Sequence, residues 1–463
     1  MSIALSPPRR VPLLAASALA AAGALIVLHP PPGLPPDGAR VLSLALAAIA
    51  GWATGVLPGH VVALLFFALA TLTGAAPAAV VFSGFQSSAF WLIFSGLVLG
   101  VAVRRSGLGP VLAARLTALF GATYAGTIAG MVGLGVLLSF VMPSALGRTA
   151  FLMPIAAAVA DRLGFAERSA GRIGVVLAAA FGTQAPSFAI LPANVPNAVL
   201  AASAEALFGQ SFSYGAYLLL HFPVLGLLKA AAIVLILVRL FRDTVPATVA
   251  APPAGPLTPE QRRVGLLLAV TLALWVSDSL HHLPPAWVGL AAAAACFLPP
   301  WRLVPPGAID GEMSHGALLH VAGLIGLGAV VAASGLGARL ADGALALLPF
   351  DPAAPLANVA ILAGLTMVVA LLTTLPGAPT VLTPLSSDLA AASGLPVEAV
   401  LMAQVLGFST VLLPYQAPPL VIALHMAKPP AGALVRFWAA LTGTTLLVLL
   451  PLDLLWWRLL GAA

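Results

Sequence analysis

Apolar stretches of about 20 residues recur from end to end of this 463-residue chain, separated by short polar or proline-rich breaks. A helix of that length crosses the hydrocarbon core of a bilayer. The pattern therefore predicts an all-α, polytopic membrane protein. We expect eleven transmembrane helices, at 11–28, 40–57, 60–75, 88–103, 173–208, 217–238, 264–281, 286–299, 314–333, 399–425 and 434–456.

Two further apolar segments, 118–160 and 355–388, are broken in the middle by proline and glycine. The first reads Met142-Pro143-Ser144-Ala145-Leu146-Gly147-Arg148 at its break, and the second reads Leu375-Pro376-Gly377-Ala378-Pro379. Proline removes a backbone donor and ends a helix, so each break fits the tip of a re-entrant hairpin. Arginines on both flanks place the mouth of the first hairpin in the cytoplasm, and acidic flanks place the second outside.

Short motifs recur in the same order in both halves. Ser106-Gly107-Leu108-Gly109 returns as Ser334-Gly335-Leu336-Gly337, without the arginine pair that precedes the first copy. Leu191-Pro192-Ala193-Asn194-Val195-Pro196 and Leu413-Pro414-Tyr415-Gln416-Ala417-Pro418 share the form L-P-x-[N/Q]-x-P. Motifs that recur with opposite flanking charge predict inverted repeats, which are typical of secondary transporters.

A Pro-, Ala- and Thr-rich segment at 243–262, flanked by arginines, is the predicted cytoplasmic linker. It divides the chain into a first half, 1–242, and a second half, 263–463. The start of the chain resembles a signal peptide, but its apolar run is longer than a signal peptide needs, so we interpret it as the first span. The charge pattern predicts a bacterial inner-membrane protein with a cytoplasmic N-terminus and an external C-terminus.

Composition excludes a soluble domain, because 61% of the residues are hydrophobic and only 7% are charged, against about 25% charged in soluble chains. The net charge of +6 fits cytoplasmic loops better than a nucleic-acid partner. The single Cys296 excludes an internal disulfide. The sequence contains no metal-ligand cluster, Walker loop, dinucleotide fingerprint or hydrolytic triad, so we expect no enzyme, no metal site and no cofactor beyond a coupling ion.

Prolines inside the fifth and tenth spans free backbone carbonyls at membrane depth, where only protein or a ligand can satisfy them. Unwound carbonyls and amide oxygens bind cations, and half-helix N-termini favour anions. The alternative is that these prolines only kink packed helices. The polar residues beside the breaks, which we predict to bind the coupling cation, are Thr183, Gln184, Ser187, Ser409 and Thr410.

A charge at membrane depth is a functional hypothesis by default. Arg148 is predicted to pair with an anionic substrate or to replace a bound cation, and the alternative is a structural pair with a carboxylate or carbonyls. Lys229 is either a buried ammonium or a snorkelled one. We expect His221, His320 and His425 to form interfacial hydrogen bonds, and Asp278 with His281-His282 to be a solvated terminus. Trp456-Trp457 resembles an aromatic belt.

Three features resemble the divalent anion/sodium symporter family of the ion transporter superfamily. They are Phe82-Ser83-Gly84-Phe85 with Phe90-Trp91-Leu92-Ile93-Phe94, the hairpin end Thr149-Ala150-Phe151-Leu152-Met153-Pro154-Ile155, and the paired stretches Ala193–Asn197 and Gln416–Leu420. The resemblance covers nearly the whole chain. It implies a homodimer with a scaffold domain and a transport domain that moves as an elevator, carrying di- or tricarboxylates or sulfate, often with Na+.

The family places a Ser-Asn-Thr signature at each tip. Here the signatures fall on Ser144-Ala145-Leu146 and Thr374-Leu375-Pro376, so both asparagines are absent. We hypothesise that Arg148 replaces the sodium charge, giving a sodium-independent exchanger or a proton-coupled carrier. The residues predicted to bind substrate are Ser144, Arg148, Thr149, Asn194, Asn197, Thr374, Gly377, Gln416 and Pro418.

Other functions stay open at this point. An oxyanion exporter or a cation/proton antiporter of the same superfamily is one alternative, but every Asp and Glu is placed near a span end or in a loop, which argues against an acidic proton relay. A membrane-embedded enzyme is a second, although His320 with Lys229 is a thin set of titratable groups for one. A non-transporting paralogue is a third.

Overall fold

A computed structural model describes residues 36–109, 111, 115, 123–142, 144–245, 256–299, 301–336, 348–413, 416–427 and 429–462. Every regular element in these ranges is a helix, as the apolar pattern predicts. The first half contains α-helices Pro36–Thr54, Gly59–Leu72, Ala78–Val81, Ser88–Ser106, Tyr124–Val141, Ala145–Arg162, Ala170–Gln184, Val195–Phe208, Tyr214–His221 and Lys229–Leu240.

The second half contains α-helices Pro259–Val276, Asp278–His281, Pro285–Ala295, Ala308–Glu312, His315–Ala333, Pro355–Leu372, Gly377–Leu382, Ser386–Ser393, Val397–Phe408, Pro418–Ala427, Ala431–Thr444 and Leu450–Leu460. Five helical stretches are long and apolar enough to cross a membrane, namely Ser88–Ser106, Tyr214–Leu240, His315–Ala333, Pro355–Leu372 and Ala431–Leu460. A sixth is possible if one sharply bent pair counts as a span. The predicted span 11–28 lies outside the described residues, so the total of eleven stays a prediction.

The helices break where the sequence predicts. The first tip lies between Tyr124–Val141 and Ala145–Arg162, and the second lies between Pro355–Leu372 and Gly377–Leu382. At the first, the Ser144 hydroxyl accepts a hydrogen bond from the Gly147 N–H at 3.0 Å, and at the second the Thr374 hydroxyl accepts one from the Gly377 N–H at 3.3 Å. Each tip thus places a hydroxyl three residues before the glycine N–H that it accepts, although Ser144 is the N-cap of its helix and Thr374 lies two residues before the N-cap Pro376. The structure supports the equivalence of Ser144 and Thr374.

Two interrupted helical segments, which the sequence predicts as the fifth and tenth spans and which we call the broken spans, follow the tips. The first broken span, Ala170–Phe208, unwinds between Gln184 and Val195 into two 3₁₀ turns. The second broken span, Val397–Ala427, is interrupted between Phe408 and Pro418. The paired L-P-x-[N/Q]-x-P motifs lie at these interruptions.

The repeated S-G-L-G motif forms the same turn in both halves. Gly107 and Gly335 adopt φ values of 67° and 68°, a left-handed conformation that glycine reaches without steric cost. The preceding serine hydroxyl donates to the helix carbonyl three residues back in both copies, at 3.1 Å for Ser106 and 2.8 Å for Ser334. The two copies of the motif therefore share one local geometry.

The halves interlock at the tips. The helix returning from the first tip, Ala145–Arg162, packs against Pro418–Ala427 of the second broken span. The helix returning from the second tip, Gly377–Leu382, packs against Val195–Phe208 of the first broken span. Each tip therefore rests on the other half of the chain.

Two equivalent spans close the halves, and the sequence did not indicate their local geometry. The first closing span, Tyr214–Leu240, contains a π-helical segment at Phe222–Leu228. The second closing span, Ala431–Leu460, contains one at Thr445–Leu449. The π segments contact each other. Such segments are rare in proteins and are frequent at functional sites.

Close packing of the first tip depends on Gly135. A Cβ atom at this position would lie 2.5 Å from the Gly182 carbonyl carbon, in backbone that can move only with its helix. We expect Gly135→Ala to lower the free energy of unfolding by about 1–3 kcal/mol, because overpacking strains a dense interior. Thermal melting of the purified protein in detergent measures this.

The matched control is Gly364→Ala, also inside a helix, where a Cβ atom would meet no heavy atom within 4 Å. It should not lower the melting temperature, since alanine favours a helix over glycine by about 1 kcal/mol. Equal melting temperatures for the two variants would contradict this account of the packing.

Candidate functional site

Arg148 occupies the centre of the first half. It lies one turn into the helix Ala145–Arg162 and is 0% exposed. Its Nη1 donates to the Met142 and Ala193 carbonyls, the latter at 2.8 Å, and its Nη2 donates to the Thr183 carbonyl at 3.0 Å. Its Nε has no hydrogen-bond partner in the described part of the chain. The charge is therefore enclosed by backbone oxygens.

These three carbonyls come from interrupted helices. Thr183 lies in the last turn before the first broken span unwinds, Ala193 lies in the unwound segment, and Met142 ends the helix before the first tip. Carbonyls at helix C-terminal ends have no intrahelical partner and carry the negative end of the helix dipole. In transporters, such groups coordinate a cation. The guanidinium occupies that position, as the cation-replacement hypothesis requires.

The asparagines of the first broken span hold its unwound backbone. The Asn194 side chain donates to the Ser187 carbonyl at 3.0 Å and accepts from the Asn197 N–H at 3.1 Å. The Asn197 side chain donates to the Phe188 and Ile190 carbonyls, both at 3.0 Å. Both amides thus use their donors on the protein's own backbone, and they position the Ala193 carbonyl that Arg148 contacts.

The residues predicted to bind the coupling cation are all buried. The hydroxyls of Thr183, Ser187, Ser409 and Thr410 donate to carbonyls in the preceding helical turn. The Gln184 Oε1 is buried without a hydrogen-bond partner among the described residues. It lines a small cavity, about 20 Å³, with Ser409 and Thr410. The structure thus brings three predicted residues, from both broken spans, around a space the size of one water molecule.

Gln416 connects the second broken span to the second tip. Its Oε1 accepts from the N–H groups of Leu412 and Leu413 at 2.8 and 2.7 Å. Its carbonyl accepts from the Leu375 N–H at 3.2 Å. Its Nε2 is buried with no partner in the described ranges. Gln416 therefore joins Thr374 and Gly377 at the second tip, while Pro418 begins the following helix.

A larger cavity lies against the first tip and the helix Ser88–Ser106. It measures about 130 Å³ and is lined by Ser144, Gly147 and Arg104, among others. Thr149, predicted to bind substrate, is buried instead. Arg104 was not among the predicted site residues, because its place at a span end indicated only an orienting charge. Its position beside Ser144 makes it a candidate for anion binding.

Lys229 is buried rather than snorkelled, with 2% of its surface exposed. Its Nζ donates to the Ser409 carbonyl at 2.8 Å, where the helix Val397–Phe408 ends. The ammonium also lines the small cavity between the broken spans. A second fixed cation thus satisfies a freed carbonyl, in the other half of the chain.

Several expectations about polar residues are wrong. Asp278 is not a solvated terminus: it is 5% exposed and accepts from the Ser213 hydroxyl at 2.8 Å and from the Tyr214 N–H, so it caps the first closing span. His221 forms no interfacial hydrogen bond, because it is 0% exposed and neither ring nitrogen has a partner in the described structure. Trp457 is fully buried and not part of an aromatic belt.

The expectation that every acid lies near a span end or in a loop also fails. Asp453 lies inside the helix Leu450–Leu460 and is 0% exposed. The error arose because the helix extends beyond the apolar window that set the predicted end at residue 456. Of the remaining histidines, His320 stacks on Trp52 with ring centroids 5.5 Å apart, and the side chain of His425 lies outside the described residues.

Comparison with known proteins decides the family. A family model described as the sodium:sulfate symporter transmembrane region matches residues 11–463. The chain belongs to this family. Membership confirms the resemblance to the divalent anion/sodium symporters and, with the apolar helices, supports a multi-pass membrane protein.

The sequence identities between this chain and two similar proteins are low. A protein of Cupriavidus necator described as "Membrane protein" is 24% identical over 311 residues, which cover 60% of this chain and 60% of that protein. A crystal structure of the Alcanivorax borkumensis YdaH transporter superposes with a TM-score of 0.53 at 18% identity, covering 85% of this chain and 89% of the other. This second likeness shows a shared fold.

The unwound segment offers a test of its amide contacts. We expect Asn197→Ala to lower the free energy of unfolding by about 1–3 kcal/mol, because the buried Phe188 and Ile190 carbonyls both lose the hydrogen bond from the Asn197 amide. Thermal melting in detergent measures the loss. Thr73→Ala, which removes one exposed side-chain hydrogen bond, is the control and should change stability by less than about 0.5 kcal/mol. A neutral Asn197→Ala would contradict the structural role given to this amide.

Proposed function

We propose that this protein is a secondary active transporter of a small anion: a di- or tricarboxylate, sulfate or a related organic acid. It works in a bacterial inner membrane as a homodimer, and its tips and broken spans move as an elevator against a scaffold. Family membership supports the transporter class and the anion. The interlocked tips support a common moving body, because each tip packs on the other half's broken span.

The carrier needs no sodium ion in its first half. One observation carries this proposal: the Arg148 guanidinium binds three backbone carbonyls, one at the first tip and two in the first broken span. A sodium ion at this place would compete for carbonyls that already accept hydrogen bonds from Arg148, and it would be repelled by the positive charge of the guanidinium. In the second half, the equivalent tip has Ala378 four residues after Thr374, and no charge.

The anion binds between the first tip and the helix Ser88–Ser106. The cavity there is lined by Arg104 and Ser144, and also by Glu312, whose carboxylate is paired with Arg105. The helix Ala145–Arg162 begins beside this cavity, and the backbone N–H groups at its N-terminus favour negative charge. Thr374, Gly377 and Gln416 form the corresponding position in the second half.

The rival functions receive less support. A membrane-embedded enzyme would need converging titratable groups, and the described residues contain no group of three His, Cys, Asp or Glu side chains with metal-binding geometry. A sodium-coupled symporter is the rival within the family, and it makes the opposite prediction for sodium dependence.

Uptake by proteoliposomes tests the coupling ion. Vesicles preloaded with unlabelled sulfate, succinate or citrate should take up the labelled anion by exchange at equal rates in sodium and in choline buffer. The physical reason is that the first-half cation is covalently part of the protein. Exchange by the wild-type protein that stops without sodium would overturn the proposal.

Removing the fixed cation should open the carbonyl site to sodium. We expect sodium chloride to raise the melting temperature of Arg148→Ala relative to choline chloride, and to leave the wild type unchanged. At a sodium concentration about ten times Kd the stabilisation is about 1.4 kcal/mol by mass action. The control is Arg436→Ala, which removes an exposed arginine bonded within its own helix. If sodium changes the melting temperatures of the wild type and of Arg148→Ala equally, Arg148 does not fill a cation site.

A further inference from the structure

The two closing spans meet at a buried group of titratable side chains that the anion site does not use. The π segments Phe222–Leu228 and Thr445–Leu449 contact each other, and the helix Leu450–Leu460 packs against both the first π segment and Tyr214–His221. Lys229 follows the first π segment directly, and Asp453 lies one turn after the second. Equivalent spans of the two halves therefore supply opposite charges to one interface.

Asp453 has an unusual environment for a carboxylate. It is 0% exposed, and neither carboxylate oxygen has a hydrogen-bond partner within the described residues. A buried carboxylate without hydrogen bonds is costly when it is ionised, and it becomes neutral by binding a proton unless a cation lies close. Its state therefore depends on the neighbouring charge.

That neighbouring charge is Lys229, because it directly follows the π segment Phe222–Leu228, which packs against the helix that carries Asp453. The lysine Nζ itself is bonded to the Ser409 carbonyl and not to the carboxylate. Protonation of Asp453 would therefore leave the Lys229 charge uncompensated while its hydrogen bond stays in place.

His221 is a third buried titratable group at this interface, on the helix Tyr214–His221 that packs against Leu450–Leu460. Its ring lies 4.6 Å from the Tyr217 ring and 6.0 Å from the Trp457 ring, centroid to centroid, and its nitrogens have no partner in the described structure. The Tyr217 hydroxyl donates to the Phe188 carbonyl at 2.9 Å. The helix Pro355–Leu372, which also packs on Leu450–Leu460, has no titratable side chain. The remaining titratable groups of the packed helices are Tyr124, Arg172, Tyr214, Arg239, Arg436 and Arg458.

Lys229 connects this interface to the broken spans. It lines the small cavity together with Gln184 of the first broken span and with Ser409 and Thr410 of the second. A change in the net charge of the Lys229–Asp453 pair therefore changes the electrostatic potential at the point where both broken spans unwind.

We propose that Asp453, with Lys229 as its counter-ion, is the proton-binding site that couples this carrier to the proton gradient. A proton from water binds one carboxylate oxygen, so that the neutral pair becomes a single positive charge on Lys229. That net positive charge favours binding of the anion, and the bound anion favours the proton by the reciprocity of linked equilibria. Release of both returns the pair to neutrality. The carrier is then a proton–anion symporter, an inference that rests on the proposed function.

Reconstituted full-length protein tests the coupling with labelled sulfate as the probe. An inward proton gradient should drive the wild type to accumulate sulfate, and a trapped pH dye should report proton entry with it. Asp453→Asn should keep exchange of sulfate at equal pH and lose gradient-driven accumulation at least tenfold. Asp310→Asn, an exposed acid on a short helix, is the control and should accumulate sulfate like the wild type.

The double variant Asp453→Asn with Lys229→Gln distinguishes a structural role of the pair from a role in proton coupling. Replacing both charges restores electrical balance, so it should recover the thermal stability that Lys229→Gln alone loses, because the lone variant leaves a buried carboxylate uncompensated. It should not recover proton-driven accumulation. Recovery of accumulation in the double variant, or accumulation by Asp453→Asn, would overturn the proposal.

Proton binding is also measured without transport. Infrared difference spectra between acidic and alkaline buffer should show a carboxylic-acid band in the wild type that Asp453→Asn lacks. Absence of this difference would refute the site. If the band is present but the wild type moves none of the tested anions, the proposed function fails and the proton site stands.

Discussion

Freed backbone carbonyls are the constraint on which this structure depends. Inside a bilayer, an unpaired carbonyl has no water to bond and costs several kcal/mol, so a span can be interrupted only where something else supplies donors. Arg148 supplies them at the first broken span and Lys229 at the second. The two interruptions are equivalent in the repeat, yet their cations come from different elements: a tip in one half and a closing span in the other.

Contacts between the two halves hold the broken spans and the tips together. Each tip rests on the other half's broken span, and the lysine that satisfies the second broken span belongs to the first half. Movement of one broken span therefore disturbs donors in both halves. That coupling suits a body that has to move as a unit while holding its charges away from lipid.

The sequence predicted the features that depend on local chemistry. Proline and glycine located both tips and both broken spans, and the S-G-L-G repeat predicted two turns that prove nearly identical, with φ near 67°. It did not predict contacts between distant segments. Nothing local distinguishes Asp453 from an acid at a span end, or shows that Asp278 caps a helix 64 residues earlier in the chain. π segments also escaped notice, because an apolar run carries no signal for one extra residue per turn.

The tethered guanidinium at the first tip has a consequence for where such a carrier can work. An ion drawn from solution occupies its site only when its concentration approaches the dissociation constant, but a side chain is present at a local concentration that the surroundings cannot dilute. In the proposed mechanism, the 0% exposed Arg148 therefore removes one requirement on the medium. Scarcity of dissolved salts would then leave this half of the carrier assembled.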